Sequence, residues 1–145
     1  MYRSVILLVG FLVAAPACAQ TEKQKLFSAS ARSQGLDFAM TVAEVAREAS
    51  FSTLEAPSFH KRSAAESRWL MCAYSALALK RGFTHWLAQY PTETSETILV
   101  AFTNSDTAST EETFGSRLAA TERVVPKVPM PVSKMAAFCG LPGRW

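Results

Sequence analysis

The chain has 145 residues, 49% of them hydrophobic, 19% charged and 10% aromatic, with a formal net charge of +3. A length near 150 is that of one domain, and the composition is globular rather than collagen-like or disordered. Acids and bases are interspersed, which argues against a nucleic-acid surface and leaves no strong field to steer acidic partners.

Arg3 precedes an apolar run, Val5 to Ala15, interrupted only by Gly10. Pro16-Ala17-Cys18-Ala19-Gln20 follows, and Ala17 and Ala19 form the small-x-small pattern that a signal peptidase reads. The run is about 11 residues, against the roughly 20 a spanning helix needs. The apolar stretch Trp69–Leu79 is also short and contains Tyr74 and Ser75. Residues 1–19 therefore read as a signal peptide, and 20–145 as one exported domain, periplasmic or secreted.

Two processing routes are open. Cleavage before Gln20 leaves a soluble chain of about 126 residues with charge near +2. Lipidation of Cys18 would instead anchor the protein to a membrane. Ala17 suits that route, but Ala15 stands where a Leu is usual, and Pro16 lies between them. Membrane attachment is expected only if Cys18 is lipidated.

Cleavage before Gln20 leaves two cysteines, Cys72 and Cys139. An even pair in an oxidising compartment is most simply a disulfide. Closing a loop of about 67 residues would contribute roughly 4 kcal/mol in the chain-entropy model. The alternatives are two buried thiols, a catalytic thiol or a metal site. Zinc would require Cys72, Cys139, His60 and His85 to converge, and their spacings resemble no paired-ligand motif.

Thr21–Ser33 reads as a polar lead-in, partly helical before Gly35, and residues 20–36 as a flexible entry to the domain. From Asp37, an N-cap candidate, Phe38, Val42, Val45 and Ala49 recur at helical spacing. The same segment also alternates in part through Val45, Arg47, Ala49 and Phe51, so a strand pair is the competing reading of 37–50. Ala56-Pro57 ends either one.

Ser63-Ala64-Ala65-Glu66 matches a capping box, and the following run through Leu79 is apolar around much of a helix circumference. Lys80 and Arg81 suit the negative end of the helix dipole, Gly82 the left-handed position after it, and Phe83 the hydrophobic contact of such a cap. The spacing predicts a buried helix carrying Cys72.

Beyond Gly82 the period changes. Phe83–Tyr90 predicts a strand with Trp86, Ala88 and Tyr90 on one face, ended by Pro91. Thr92–Glu96 is a polar turn, and Thr97–Thr103 predicts a central strand whose Ile98, Val100 and Phe102 face the helix. Asn104–Thr113 reads as an acidic, hydroxyl-rich loop, and Phe114–Val125 as a third strand. Pro126, Pro129 and Pro131 confine the next segment to an edge or an extended arm. Ser133–Phe138, a short helix or strand, returns Cys139 to Cys72. The expected fold is α+β: one or two helices packed on a small antiparallel sheet, stapled by one disulfide.

The chain contains no phosphate-binding loop, dinucleotide fingerprint, Gly-x-Ser-x-Gly elbow or His-Glu-x-x-His. His85 reads as a half-exposed sheet residue and His60-Lys61-Arg62 as a solvated approach to the helix, with an anionic ligand as its sharper alternative. Asp106, Glu111 and Glu112 lack the alternating-oxygen pattern of a calcium loop. No catalytic, cofactor-binding or metal residue is assigned. Trp86, Tyr90 and Trp145 are the candidates for a partner surface, the first two if one face of the sheet is uncovered.

The block Arg68–Leu79, followed by Arg81-Gly82-Phe83-Thr84-His85-Trp86, resembles one in small bacterial envelope lipoproteins of uncharacterised function. There an Ala-rich helix ends at a Gly-aromatic pair and enters a sheet strand. The resemblance implies an envelope location and supplies no catalytic residues; the residues before Cys18 depart from the family pattern. The expected function is non-enzymatic binding of a protein or envelope component. A small-molecule or lipid carrier and a hydrolase built on His60 or His85 are the alternatives.

Overall fold

The computed structural model describes residues 25–92, 94–119 and 123–145. The expected signal peptide, Cys18 and residues 20–24 lie outside them. In chain order come β1 (Ser28–Ser30), a 3-10 turn (Arg32–Gln34), β2 (Thr41–Arg47), β3 (Phe51–Glu55) and a second 3-10 turn (Phe59–Lys61). Next are α1 (Ala64–Lys80), β4 (His85–Tyr90), β5 (Thr97–Thr103) and α2 (Thr110–Phe114). A third 3-10 turn (Gly115–Arg117), β6 (Arg123–Pro131) and α3 (Val132–Cys139) complete the chain. The strands form one antiparallel sheet in the order β1-β2-β3-β5-β4-β6. Cys72 and Cys139 form a disulfide, with Cα atoms 5.4 Å apart. The expected α+β class and its staple are both present.

Helix α1 follows from its local sequence. Ser63 Oγ accepts from the Glu66 N–H, and the Glu66 carboxylate accepts from the Ser63 N–H. At the other end Gly82 takes φ +78°, so the Phe83 N–H reaches the Ala78 carbonyl at 2.9 Å and the Gly82 N–H that of Leu79 at 3.1 Å. These are the two bonds of a Schellman cap, and the left-handed residue is one that favours glycine. Residues from Trp69 to Ala78 are buried on most sides because α1 lies on the sheet and is covered in turn by α3.

The face of the sheet toward α1 carries Leu54, Ile98, Val100, Phe102, Trp86 and Ala88, all buried in one core with Leu70, Tyr74 and Leu77. Strand β5 is central, as its apolar run predicts. The opposite face buries a smaller cluster, Leu87, Ala101 and Phe114, flanked by Phe51, Leu99, Leu118 and Val124. The cover comes from the segment expected as loop and third strand. Ser109 and Glu112 form a second capping box that starts α2, whose Phe114 lies on the sheet. Gly115, at φ +54°, then turns the chain out of a strand path into the third 3-10 turn, and the described pairing is that of β6 from Arg123. The prolines of β6 are accommodated because it is an edge strand, with one side free of ladder partners.

Residues 37–50 form a hairpin arm rather than a helix. Val42 and Glu44 point into the protein between β1 and β3, while Thr41, Ala43 and Val45 point out. Glu44 pairs with Leu54 and Ala46 with Thr53, leaving Val45 as a bulged extra residue. The bulge changes the parity of the strand, so Arg47 lands on the same face as Glu44. Helical spacing among Phe38, Val42 and Val45 was the weaker determinant, because the chain gains two strand partners and a partly buried ion pair in this register. The lead-in is also more integrated than expected: Phe27 and Ala31 are buried, and β1 pairs along β2.

Candidate functional site

Ala65, Arg68, Trp69 and Cys72 recur at three- and four-residue spacing, which places them on one stripe of α1. This stripe forms the floor of a groove of 190 Å³. One wall is the first 3-10 turn and the chain after it, with Gln34, Leu36 and Phe38; the other is Phe138 and Cys139 of α3 with the terminal Arg144 and Trp145. The disulfide joins floor to wall.

The tail is held at this groove. The ring centroids of Trp145 and Trp69 lie 5.6 Å apart, and Phe38 meets Trp69 edge-on at 6.5 Å. Trp145 Nε1–H donates to the Cys139 carbonyl at 3.0 Å, and Trp69 Nε1–H to Gln34 Oε1 at 2.8 Å. Gln34 Nε2–H in turn donates to the Arg144 carbonyl at 3.3 Å. Both indole donors are thereby satisfied internally; Trp69 is buried beneath Trp145, so the apolar surface open to a ligand comes from Trp145 and the exposed Phe138. Gly140, at φ +65°, ends α3 in the left-handed region that favours glycine, and a Cβ there would stand 3.2 Å from Cδ of the Arg144 side chain. Phe138 remains 64% exposed at the rim.

Trp145 therefore lies at the groove, but the other two candidate partner residues do not. Trp86 is fully buried, edge-on to Tyr74 at 5.1 Å, and donates its indole N–H to Ser75 Oγ at 2.8 Å. It offers no surface to a partner. Tyr90 is half-buried against Phe59, at 4.9 Å, with Arg62 stacked on the Phe59 ring at 3.7 Å. The basic residue nearest the aromatic cluster is thus packing material. The groove residues Leu36, Phe38, Arg68 and Phe138 were not singled out from the sequence. Their one local signal was the Ala65–Cys72 stripe, which marks a face leading to the disulfide.

The two histidines lie at opposite ends of β4. His60 Nε2 lies 2.6 Å from the Ser95 carbonyl, beside the end of β4 that carries Tyr90, whereas His85 opens the same strand and meets Thr84 Oγ1 at 2.8 Å. Five residue steps along the strand separate those ends, roughly 17 Å. Among the described residues no group of three His, Cys, Asp or Glu side chains is placed to hold a metal ion. Glu112 of the acidic loop is engaged in capping α2.

A polar cluster fastens the other end of α1. The Glu44 carboxylate is buried and accepts from the Phe27 N–H at 2.9 Å, Ser52 Oγ–H at 2.6 Å and Arg47. Burial alone pushes this carboxyl up; the donors from Arg47, Ser52 and Phe27, with the charge of Arg47, outweigh it and hold the pKa below the ordinary value. Arg81, just after α1, donates to the Phe51 carbonyl at 2.7 Å, Ser52 Oγ at 2.8 Å, the Ala49 carbonyl at 2.9 Å and the Glu48 carbonyl. It thereby satisfies the carbonyls of the β2–β3 turn.

Comparison of the chain with protein-family models, curated proteins and solved structures finds no match. No helix among the described residues is long and apolar enough to cross a membrane.

Proposed function

We propose that this is an exported, non-enzymatic protein that binds another protein or envelope component at the groove beside its disulfide. The observation that carries the reading is the composition of that groove. Two tryptophans, two phenylalanines and two arginines meet there, and such residues dominate the energetics of protein interfaces. Its volume, 190 Å³, is below the roughly 300–1,000 Å³ of ordinary small-molecule sites and suits one or two side chains of a partner. That favours a protein partner over a carried small molecule.

Export rests on the signal-like first 19 residues, and the Cys72–Cys139 bond is of a kind that persists in oxidising compartments. The resemblance of the α1–β4 block to envelope lipoproteins points the same way.

A photoreactive phenylalanine analogue at Phe138, in the producing cell, tests the reading. The expected result is one discrete adduct that disappears with Trp145→Ala and does not form from the same probe at Glu111. Equal adducts from both positions, or none, would refute the groove as the binding site. A small molecule retained by the protein in native mass spectrometry would favour the carrier instead.

A further inference from the structure

The last turn of α1 separates two surface hollows of opposite character. One, of 330 Å³, is lined by Lys25, Leu26, Phe27, Arg47, Lys80 and Arg81. The other, of 410 Å³, is apolar and takes in Leu79, Phe83 and Leu141. Lys80 and Leu79 are adjacent residues that point to different flanks of the helix. A helix with its side chains is about 10–12 Å across, so the two hollows are close neighbours.

The basic hollow has excess positive charge. Among the described residues its four cations have one carboxylate beside them, Glu44, which is already bonded to Arg47, Ser52 and Phe27. Glu48, at the β2–β3 turn, is paired with Arg117. Arg81 is committed to four acceptors and contributes fixed charge. Lys25 and Lys80 form no ion pair among the described residues; the Lys80 ammonium stands 5.2 Å over the Phe27 ring. Leu26 and Leu79 are 40% and 43% exposed beside these lysines.

We propose that this end of the molecule docks on a bilayer surface bearing anionic phospholipid. The basic hollow seats a lipid phosphodiester against Lys25, Lys80 and Arg47, and Leu26 and Leu79 enter the boundary between headgroups and acyl chains. A soluble phosphate would use the basic hollow alone. The exposed leucines and the apolar hollow next to it are what a phosphate attached to hydrocarbon would use as well, which is the arrangement of interfacial binding. The site is at the opposite end of α1 from the groove and stands independently of the partner reading.

The test is co-sedimentation of the purified protein with vesicles of equal parts phosphatidylglycerol and phosphatidylcholine. The expected result is binding that weakens with added salt and is absent with phosphatidylcholine alone. Lys25→Ala with Lys80→Ala should lower the partition coefficient about 30-fold, the worth of two cations at an anionic surface. Leu79→Gln should lower it about tenfold by removing apolar burial. Lys127→Ala, on the far edge strand, should leave it unchanged, and all variants should retain the native circular dichroism spectrum. Equal binding to both vesicle types, no binding, or equal losses from Lys127→Ala would overturn the proposal. Inorganic phosphate that binds the vesicle-free protein with the same lysine dependence, and releases it from vesicles at constant ionic strength, would assign the hollow to a soluble anion and overturn the lipid assignment.

Discussion

The two ends of α1 are fastened by different physics. At its N-terminal half a covalent bond, two packed indoles and the docked tail join the helix to α3 and leave an apolar groove. At its C-terminal end Arg81 and the Glu44 cluster join it to the β2–β3 hairpin through charge-assisted hydrogen bonds, and a basic hollow results. A disulfide acts whatever the pH but fails under reduction. A carboxylate cluster ignores redox conditions but fails in acid. The contrast gives each end its own handle.

The largest expected effect is at the disulfide. Reduction, or Cys72→Ser with Cys139→Ser, removes a 67-residue loop constraint and should cost about 4 kcal/mol. Thermal unfolding should register a fall in Tm on the order of 10 °C, along with loss of the Phe138 adduct as α3 loosens. An unchanged Tm would mean that packing alone holds α3 to α1.

Next comes Glu44→Gln, which leaves Arg47 and Arg81 without their anion. Breaking a buried pair costs about 3–5 kcal/mol when both partners are deep; here the Arg47 side chain keeps 19% of its exposure, and about 2 kcal/mol is expected. The pH dependence has a definite sign. The Glu44 pKa is lower in the folded chain than in the unfolded one, so its contribution is complete above the unfolded value and is lost as pH falls through the folded value. Denaturant titrations between about pH 5 and pH 3 should show stability falling in the parent protein and a shallower slope in the variant. Parallel slopes would show that Glu44 carries no folding-linked proton.

A smaller loss, about 1 kcal/mol, is expected for Ser63→Ala, which removes half of the capping box at the groove end of α1. The smallest change in stability belongs to Trp145→Ala, whose ring is only partly buried; its effect should appear in the crosslinking and not in the melt. A large drop in Tm there would make the tail a structural strut instead of a binding surface.

Local determinants were the ones the sequence made readable. Ser63, Glu66 and Gly82 are adjacent to the backbone groups they satisfy, so the limits of α1 follow from their order along the chain. Strand β5 was legible because its apolar run is too short for a helix and is bounded by polar turns, and β6 because prolines exclude a central strand. The hairpin at 37–50 was ambiguous for a physical reason: the same apolar residues satisfy both periods in part. What decides between them is distant, since Glu44 acquires Ser52 and the Phe27 N–H only when β2 lies beside β3 and the lead-in. Strand alternation gives the face on which Trp86 lies but not what covers that face, and α1 covers it.

The sequence by itself determined the α+β class and the helix that carries Cys72, consequences of composition and capping chemistry; the pairing of Cys72 with Cys139 was its simplest reading, and the fold brings the two together. Only the tertiary structure decided where the sites lie. The groove draws on residues from Gln34 to Trp145 and the basic hollow on residues from Lys25 to Arg81, and nothing in the local periodicity of either segment records its distant neighbours. Elements form from contacts near in sequence, whereas a surface is made where elements far apart in the chain are packed together.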